Sequence, residues 1–228
     1  MKVAVIDPGS GNLASVRRAF ERVAREAGIA LDLRVTGDAA DLAWAERIVL
    51  PGQGAFAACR RGLDALPGMV DALNLQVIER QKKFLGICVG MQLMADRGLE
   101  HGVTPGLGWI RGEIAPMDPR DAEGAPLPLP QMGWNALHLL QPAHPMLDGM
   151  PPGAHAYFVH SYALRGGAEA ELLATTDYGG PVAAVIGRGN LAGMQFHVEK
   201  SGLAGLRLLL NFLRWPDGRP NEGPGGRT

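Results

Sequence analysis

Cys88 stands in Gly86-Ile87-Cys88-Val89-Gly90, between the apolar run Lys83-Phe84-Leu85 and the amphipathic stretch Met91-Gln92-Leu93-Met94. This is the spelling of a nucleophile elbow, in which a buried strand enters a tight turn that carries the nucleophile and a helix leads away. Glycine on both sides lets neighbouring backbones approach and relieves crowding at a strained φ/ψ. A thiol at that point meets the free N–H groups and the dipole of a helix start, which favour thiolate over thiol. The chemistry would be attack on an acyl carbon. The bland alternative is a small core hydrophobe, the usual role of a buried cysteine.

A cysteine nucleophile needs a base, and the base needs an orienting carboxylate. The histidines are His101, His138, His144, His155, His160 and His197. Residues i and i+2 of a strand share a face, and only His197 has an acid at that spacing, Glu199. Read as a strand end, Met194-Gln195-Phe196-His197-Val198-Glu199 projects both side chains together, so the glutamate can hold the imidazole's tautomer and stabilise its cation. His160 is the rival, but its same-face neighbours are Phe158 and Tyr162.

The third requirement is an oxyanion hole. The N–H of Val89, next after the nucleophile, is one donor. A second can come from Gly52 or Gln53 in Pro51-Gly52-Gln53-Gly54, directly after the apolar run Ile48-Val49-Leu50. Parallel sheets place ligands at the carboxyl ends of their strands, and backbone N–H groups there can face developing charge. The alternative is an ordinary strand-to-helix turn.

The elements that must position these groups are legible as patterns. Strand-like runs cover Val3–Ile6, Leu31–Val35, Arg47–Leu50 and Phe84–Ile87, with helical patterns at Asn12–Ala27, Ala55–Leu66 and Met69–Gln81. Short apolar strands alternating with helices predict an α/β fold, a mostly parallel sheet covered on both faces as a three-layer sandwich. From Gly106 to His197 the runs are short and bounded by Gly and Pro: Ala156–Val159, Leu172–Thr176, Val182–Ile186 and Leu191–His197. They predict an antiparallel extension of the same sheet. Pro116–Pro130 reads as a surface loop, and Ser201–Leu213 as a closing helix with Ser201 as N-cap. One domain is expected over 1–215, followed by a Gly/Pro-rich disordered tail over 216–228.

The 228 residues are 46% hydrophobic and 20% charged, enough for one sizeable core, and the net charge of −1 argues against nucleic acid or an anionic membrane surface as partner. No apolar stretch is long enough to span a membrane. The N-terminus opens directly as a strand without a signal-peptide layout, and two cysteines, Cys59 and Cys88, fit a reducing cytoplasm. No Cys/His spacing suggests a metal site. Gly9-Ser10-Gly11-Asn12-Leu13-Ala14 matches G-x-G-x-x-A and offers a rival class, a dinucleotide enzyme. Asp7-Pro8 intervene before its first glycine, and no acid stands at the end of the second strand at the expected offset.

With these residues assembled, the chain resembles the class I, or triad, glutamine amidotransferases. The resemblance rests on the elbow Gly86 to Gln92 and on Gln195-Phe196-His197-Val198-Glu199. Within that family it is most similar to the glutaminase subunits of imidazole glycerol phosphate synthase. The segments carrying this run from Asp7–Leu13 through Leu50–Phe56, Met132–Asn135 and Tyr157–Tyr162 to Ala174–Gly179. The family usually has Tyr at Pro8, Val at Gln53, Leu at Val89 and Pro at Val198; none of these departures removes a triad group.

The resemblance implies a flavodoxin-like core and hydrolysis of glutamine to glutamate and ammonia by Cys88, His197 and Glu199, without cofactor. It implies that Gln92 and the backbone around His160, Ser161 and Tyr162 hold the amino-acid end of glutamine. It also implies a heterodimeric partner, a (β/α)8-barrel cyclase subunit that consumes the ammonia in histidine biosynthesis. Asn12, Trp134, Asn135 and Lys200 are the expected interface residues, with a core aromatic as the alternative for Trp134. Hydrolysis would wait for the partner's ligand, with the oxyanion turn as the switch.

Overall fold

The computed structural model describes residues 1–216. The expected tail therefore lies, beyond Pro216, outside the described residues. The first half alternates as the periodicity predicts. Strands β1 (Lys2–Ile6), β2 (Asp32–Thr36), β3 (Arg47–Gly52) and β4 (Lys83–Cys88) are separated by helices. These are α1 (Leu13–Glu26), α2 (Ala40–Trp44), α3 (Phe56–Asp64) and α4 (Met69–Leu73). β3 and β4 are buried along their whole length, which is why they read as continuous apolar runs rather than alternating ones. The short α2 had no signal of its own. The single helix expected over Met69–Gln81 is instead α4 followed by a wider π-helical turn, Asn74–Glu79. Asn190 donates to the Val77 and Lys82 carbonyls across that turn.

The elbow continues into a single turn, α5 (Val89–Gln92), and then into short strands β5 (Arg97–Gly98), β6 (Thr104–Pro105) and β7 (Glu113–Pro116). The second half adds β8 (Gln131–Ala136), β9 (His138–Leu139), β10 (His155–His160), β11 (Tyr162–Arg165), β12 (Leu172–Asp177), β13 (Pro181–Arg188) and β14 (Leu191–Met194), closed by α6 (Gly202–Arg214). The main sheet has the order β2-β1-β3-β4-β14-β13-β12-β9. β2, β1, β3, β4 and β14 run parallel, while β13, β12 and β9 are antiparallel.

The chain steps one way from β1 to β2 and then back across β1 to β3 and β4. Right-handed crossovers therefore place α1 on one face and α2 to α4 on the other. α1 packs on α6, with Phe20 edge-to-face on Phe212 at 6.1 Å. The reversal leaves a crevice at the carboxyl ends of the central strands, where such folds hold ligands.

Two expectations about the sheets need correction. The run Ala156–Val159 does not extend the main sheet. It lies in β10, which pairs only with β8 in a separate ribbon, and β11 pairs with β7 in a third, four-stranded sheet. β14 also ends at Met194, short of His197. Beyond it the His197 N–H donates to Tyr157 O at 3.1 Å, so the backbone leaves the main sheet for the ribbon. No helix among the described residues is long and apolar enough to cross a membrane.

Candidate active site

The elbow is built by backbone contact. Cys88 sits at φ 54°, ψ −113°, a strained conformation for a residue with a Cβ, costing about 1–3 kcal/mol. What holds it there is the close seating of the turn against β3. A Cβ on Gly90 would overlap the Leu50 carbonyl oxygen, and one on Gly86 would lie 2.7 Å from the Gly90 carbonyl and the Met91 backbone. The flanking glycines thus permit the approach that the motif requires. The helix that follows is shorter than expected, only α5.

His197 comes from the segment after β14, whose parallel pairing with β4 brings the two strand ends to one edge. Its Nδ1 lies 3.0 Å from Glu199 Oε1. The pair does meet, but not through strand alternation: His197 caps a 3-10 turn, Val198–Lys200, and Glu199 lies within it. Ser201 stands at the N-cap of α6, as expected, but its side chain makes no capping hydrogen bond. Its hydroxyl donates to His197 O at 2.7 Å and accepts from Tyr157 N at 3.0 Å, stapling the histidine segment to β10. A hydrogen bond with Cys88, and then one with Glu199, raises the His197 pKa from 6.5 to about 9. The imidazole is therefore a cation at neutral pH, held between a sulfur and a buried carboxylate. Such a unit can supply a thiolate and then donate a proton.

Gly52 stands directly across from Cys88 in the β3–β4 register. Beyond it Gln53 and Gly54 join Cys88, Val89, Gln92, Glu100, Pro130, Val159 to Tyr162, His197 and Lys200 around one cavity of about 410 Å³. Glu199 lies behind His197, 1% exposed. A larger groove of about 800 Å³ between α1 and α6 holds Trp134, His155 and Arg207 but neither Cys88 nor His197. A strained thiol, an imidazolium and a backbone turn around a small polar cavity suit acyl transfer on a small substrate.

The chain matches the family model of glutamine amidotransferase class-I over residues 4–214. It belongs to that family. It is 57% identical over 218 residues to the imidazole glycerol phosphate synthase subunit HisH of Brucella suis biovar 1 (strain 1330), covering 94% of this chain and 99% of the relative. HisH of Rhodospirillum rubrum is 54% identical over 215 residues, with the same coverage. HisH of Granulibacter bethesdensis is 56% identical over 221 residues, 96% and 98% of the two chains. Among solved structures, a glutamine amidotransferase superposes with TM-score 0.68 at 20% identity, covering 93% of this chain and 97% of the other. A glutamine amidotransferase from Thermotoga maritima gives 0.58 at 15%, covering 94% and 96%. These two show the fold.

In this class-I amidotransferase the residues read as glutamine-holding do line the Cys88 cavity. Gln92 Nε2 donates to Tyr162 O and to Gln195 Oε1, both at 3.1 Å. His160 donates Nδ1–H to the same Tyr162 carbonyl at 3.0 Å, and burial pushes its pKa down to about 4. It is a neutral wall of the pocket with no carboxylate behind it, unlike His197. The interface candidates divide. Lys200 lines the cavity, whereas Trp134, Asn135 and Asn12 do not. Trp134 is 54% exposed and packs on Tyr157 at 5.8 Å, so the core-aromatic alternative fails. Asn135 Oδ1 accepts from Gln131 Nε2 at 3.1 Å, and Asn12 caps α1 without a side-chain hydrogen bond. Sequence reasoning missed Glu100, which accepts from the Phe56 N–H at 2.7 Å and anchors the start of α3. No motif surrounds it, so nothing in the chain pointed there.

Proposed function

We propose that the cavity at Cys88 hydrolyses glutamine to glutamate and ammonia through a thioester. The single observation that carries the reading is His197 facing the cavity it shares with Cys88, with Glu199 held behind it at 3.0 Å. The enzyme is a glutamine amidotransferase of the imidazole glycerol phosphate synthase type, and it supplies ammonia to histidine biosynthesis.

Cys88 attacks the side-chain amide carbon. The oxyanion takes N–H donation from Val89 and from the Gly52–Gln53 turn. His197, already a cation, gives its proton to the departing ammonia, and the thioester remains. Acylation takes up the Cys88 sulfur, whose contact is the largest cause of the raised His197 pKa. Once that contact is lost the imidazole becomes a base, able to take a proton from the water that attacks the thioester. Glu199 orients the ring in both steps. Gln92 and the Ser161–Tyr162 backbone hold the amino-acid end.

Free ammonia is a nucleophile only when unprotonated, so its acceptor must receive it out of contact with water. The partner we propose is a (β/α)8-barrel cyclase subunit in a heterodimer, with Asn12, Trp134, Asn135 and Lys200 as the candidate contacts. The exposure of Trp134 supports its place among them. The test is glutamate release by the purified chain, alone and with the cyclase and its nucleotide ligand. Release only in the complex is expected. Full activity alone would discard the gating, and none in either would discard the glutaminase.

A further inference from the structure

Cys59, one turn into α3 and 1% exposed, has no part in the chemistry above. Its sulfur lies 3.2 Å from the Gln53 carbonyl oxygen and 3.3 Å from the Ser10 hydroxyl. A thiol carries one proton and a carbonyl only accepts. The proton therefore goes to Gln53 O, and Ser10 donates to the sulfur. Burial is the largest influence on this thiol and pushes its pKa up, which keeps the proton in place.

In a planar trans peptide the carbonyl and the following N–H point in opposite directions. Drawing Gln53 O toward α3 turns the Gly54 N–H away from α3. With the Gln53–Gly54 peptide plane anchored, rotation on the carboxyl side of the Gln53 Cα is restricted, and the Gln53 N–H on the other side of the same Cα is aimed from a fixed reference. The loop after β1 backs the turn. A Cβ on Gly11 would lie 3.4 Å from Pro51 Cβ and 3.6 Å from Gly52 N. The Gly9-Ser10-Gly11 segment, whose spelling suggested a dinucleotide site, is packed against the oxyanion turn.

We infer that Cys59 is a positioning residue for the oxyanion hole: its thiol, seated on Ser10, holds the Gln53 carbonyl and sets where the turn's N–H groups point. This rests on the glutaminase reading and adds to it a residue that acts through the turn and not on the substrate. A cysteine that merely fills the core would affect stability and leave the transition state alone.

The test compares Cys59→Ala, Cys59→Ser and Ser10→Ala with the unaltered chain, each in the complex that releases glutamate. Two quantities are read: the kinetics of glutamine hydrolysis, and the rate at which iodoacetamide alkylates Cys88, followed by mass. Alkylation is a displacement at a saturated carbon and forms no oxyanion. Loss of an oxyanion donor costs about 10²–10³ in kcat, so a misaimed one in Cys59→Ala should cost roughly tenfold, with KM within about twofold. Cys88 alkylation should stay unchanged, Cys59→Ser should recover most of kcat, and Ser10→Ala should lose a few-fold. Ser10 is in a partly exposed loop, so that variant carries the test even if Cys59→Ala fails to fold. Unchanged kcat in folded Ser10→Ala and Cys59→Ala overturns the inference. So does a loss matched by slower alkylation. An unaltered complex that releases no glutamate would instead overturn the glutaminase reading itself.

Discussion

His197 Nδ1 and Glu199 Oε1 lie 3.0 Å apart, the histidine capping a 3-10 turn and the glutamate inside it, and the glutamate side chain is 1% exposed. A buried carboxylate facing an imidazole both selects the tautomer and stabilises the cation. Glu199→Gln keeps the shape and removes both effects. We expect kcat to fall by roughly 10²-fold or more, as for other buried carboxylates behind a catalytic histidine. Steady-state glutaminase kinetics, with circular dichroism to verify the fold, check it.

Cys88→Ala should remove glutamate release altogether while the chain stays folded, because the strained turn is held by the seating of Gly86 and Gly90 rather than by the sulfur. In the unaltered enzyme, acid quench followed by intact mass should reveal a glutamyl adduct on Cys88. Its absence under turnover would exclude the thioester.

The pH dependence follows from two histidines shifted in opposite directions. His197 is raised to about 9, first by Cys88 and then by Glu199. As the proposed proton donor to ammonia, it should set the alkaline limb of kcat/KM near pH 9. Glu199→Gln should move that limb to lower pH. In stability, a raised pKa means a contribution complete below pH 6.5 and lost as pH rises through about 9. His160 is lowered to about 4 by burial. Its contribution is complete above pH 6.5 and lost as pH falls toward 4. Urea unfolding at a series of pH values, with His160→Ala and His197→Ala as references, reads both slopes.

Gly90→Ala should be severe, because the added Cβ would meet the Leu50 backbone and not a movable side chain. A destabilisation of about 3 kcal/mol or more is expected, measured as a lower urea midpoint, with activity lost alongside.

Trp134 is a surface residue of the β8–β10 ribbon. Trp134→Ala should change the stability of the isolated chain by about 1 kcal/mol or less and weaken binding to the cyclase roughly tenfold. Titration calorimetry of the two proteins measures it. Unchanged affinity would remove Trp134 from the interface.

The parallel core was legible because its signals are local. Buried strands such as Val3–Ile6 and Ile48–Leu50 are continuous apolar runs, and each is punctuated by turn glycines. The elbow was legible for the same reason, since a strained thiol between β4 and α5 needs small neighbours at Gly86 and Gly90. The His197–Glu199 pair was found by its spacing, although the turn that makes the contact is 3-10 and not strand. The π-helical turn after α4 and the separation of β10 from the main sheet left no local trace. Both depend on partners far along the chain, Asn190 for the first and β8 for the second.

The sequence by itself determined the main element types and marked Cys88, His197 and Glu199 as candidates, because periodicity, turn chemistry and close spacing act over a few residues. Only the tertiary structure decided which histidine reaches Cys88. It made His160 a neutral wall and His197 a cation, and it turned Cys59 toward Gln53. Those outcomes depend on burial and on the order of strands in the sheet. The parallel pairing of β14 with β4 joins residues more than a hundred positions apart, and short-range patterning carries no information about such a pairing.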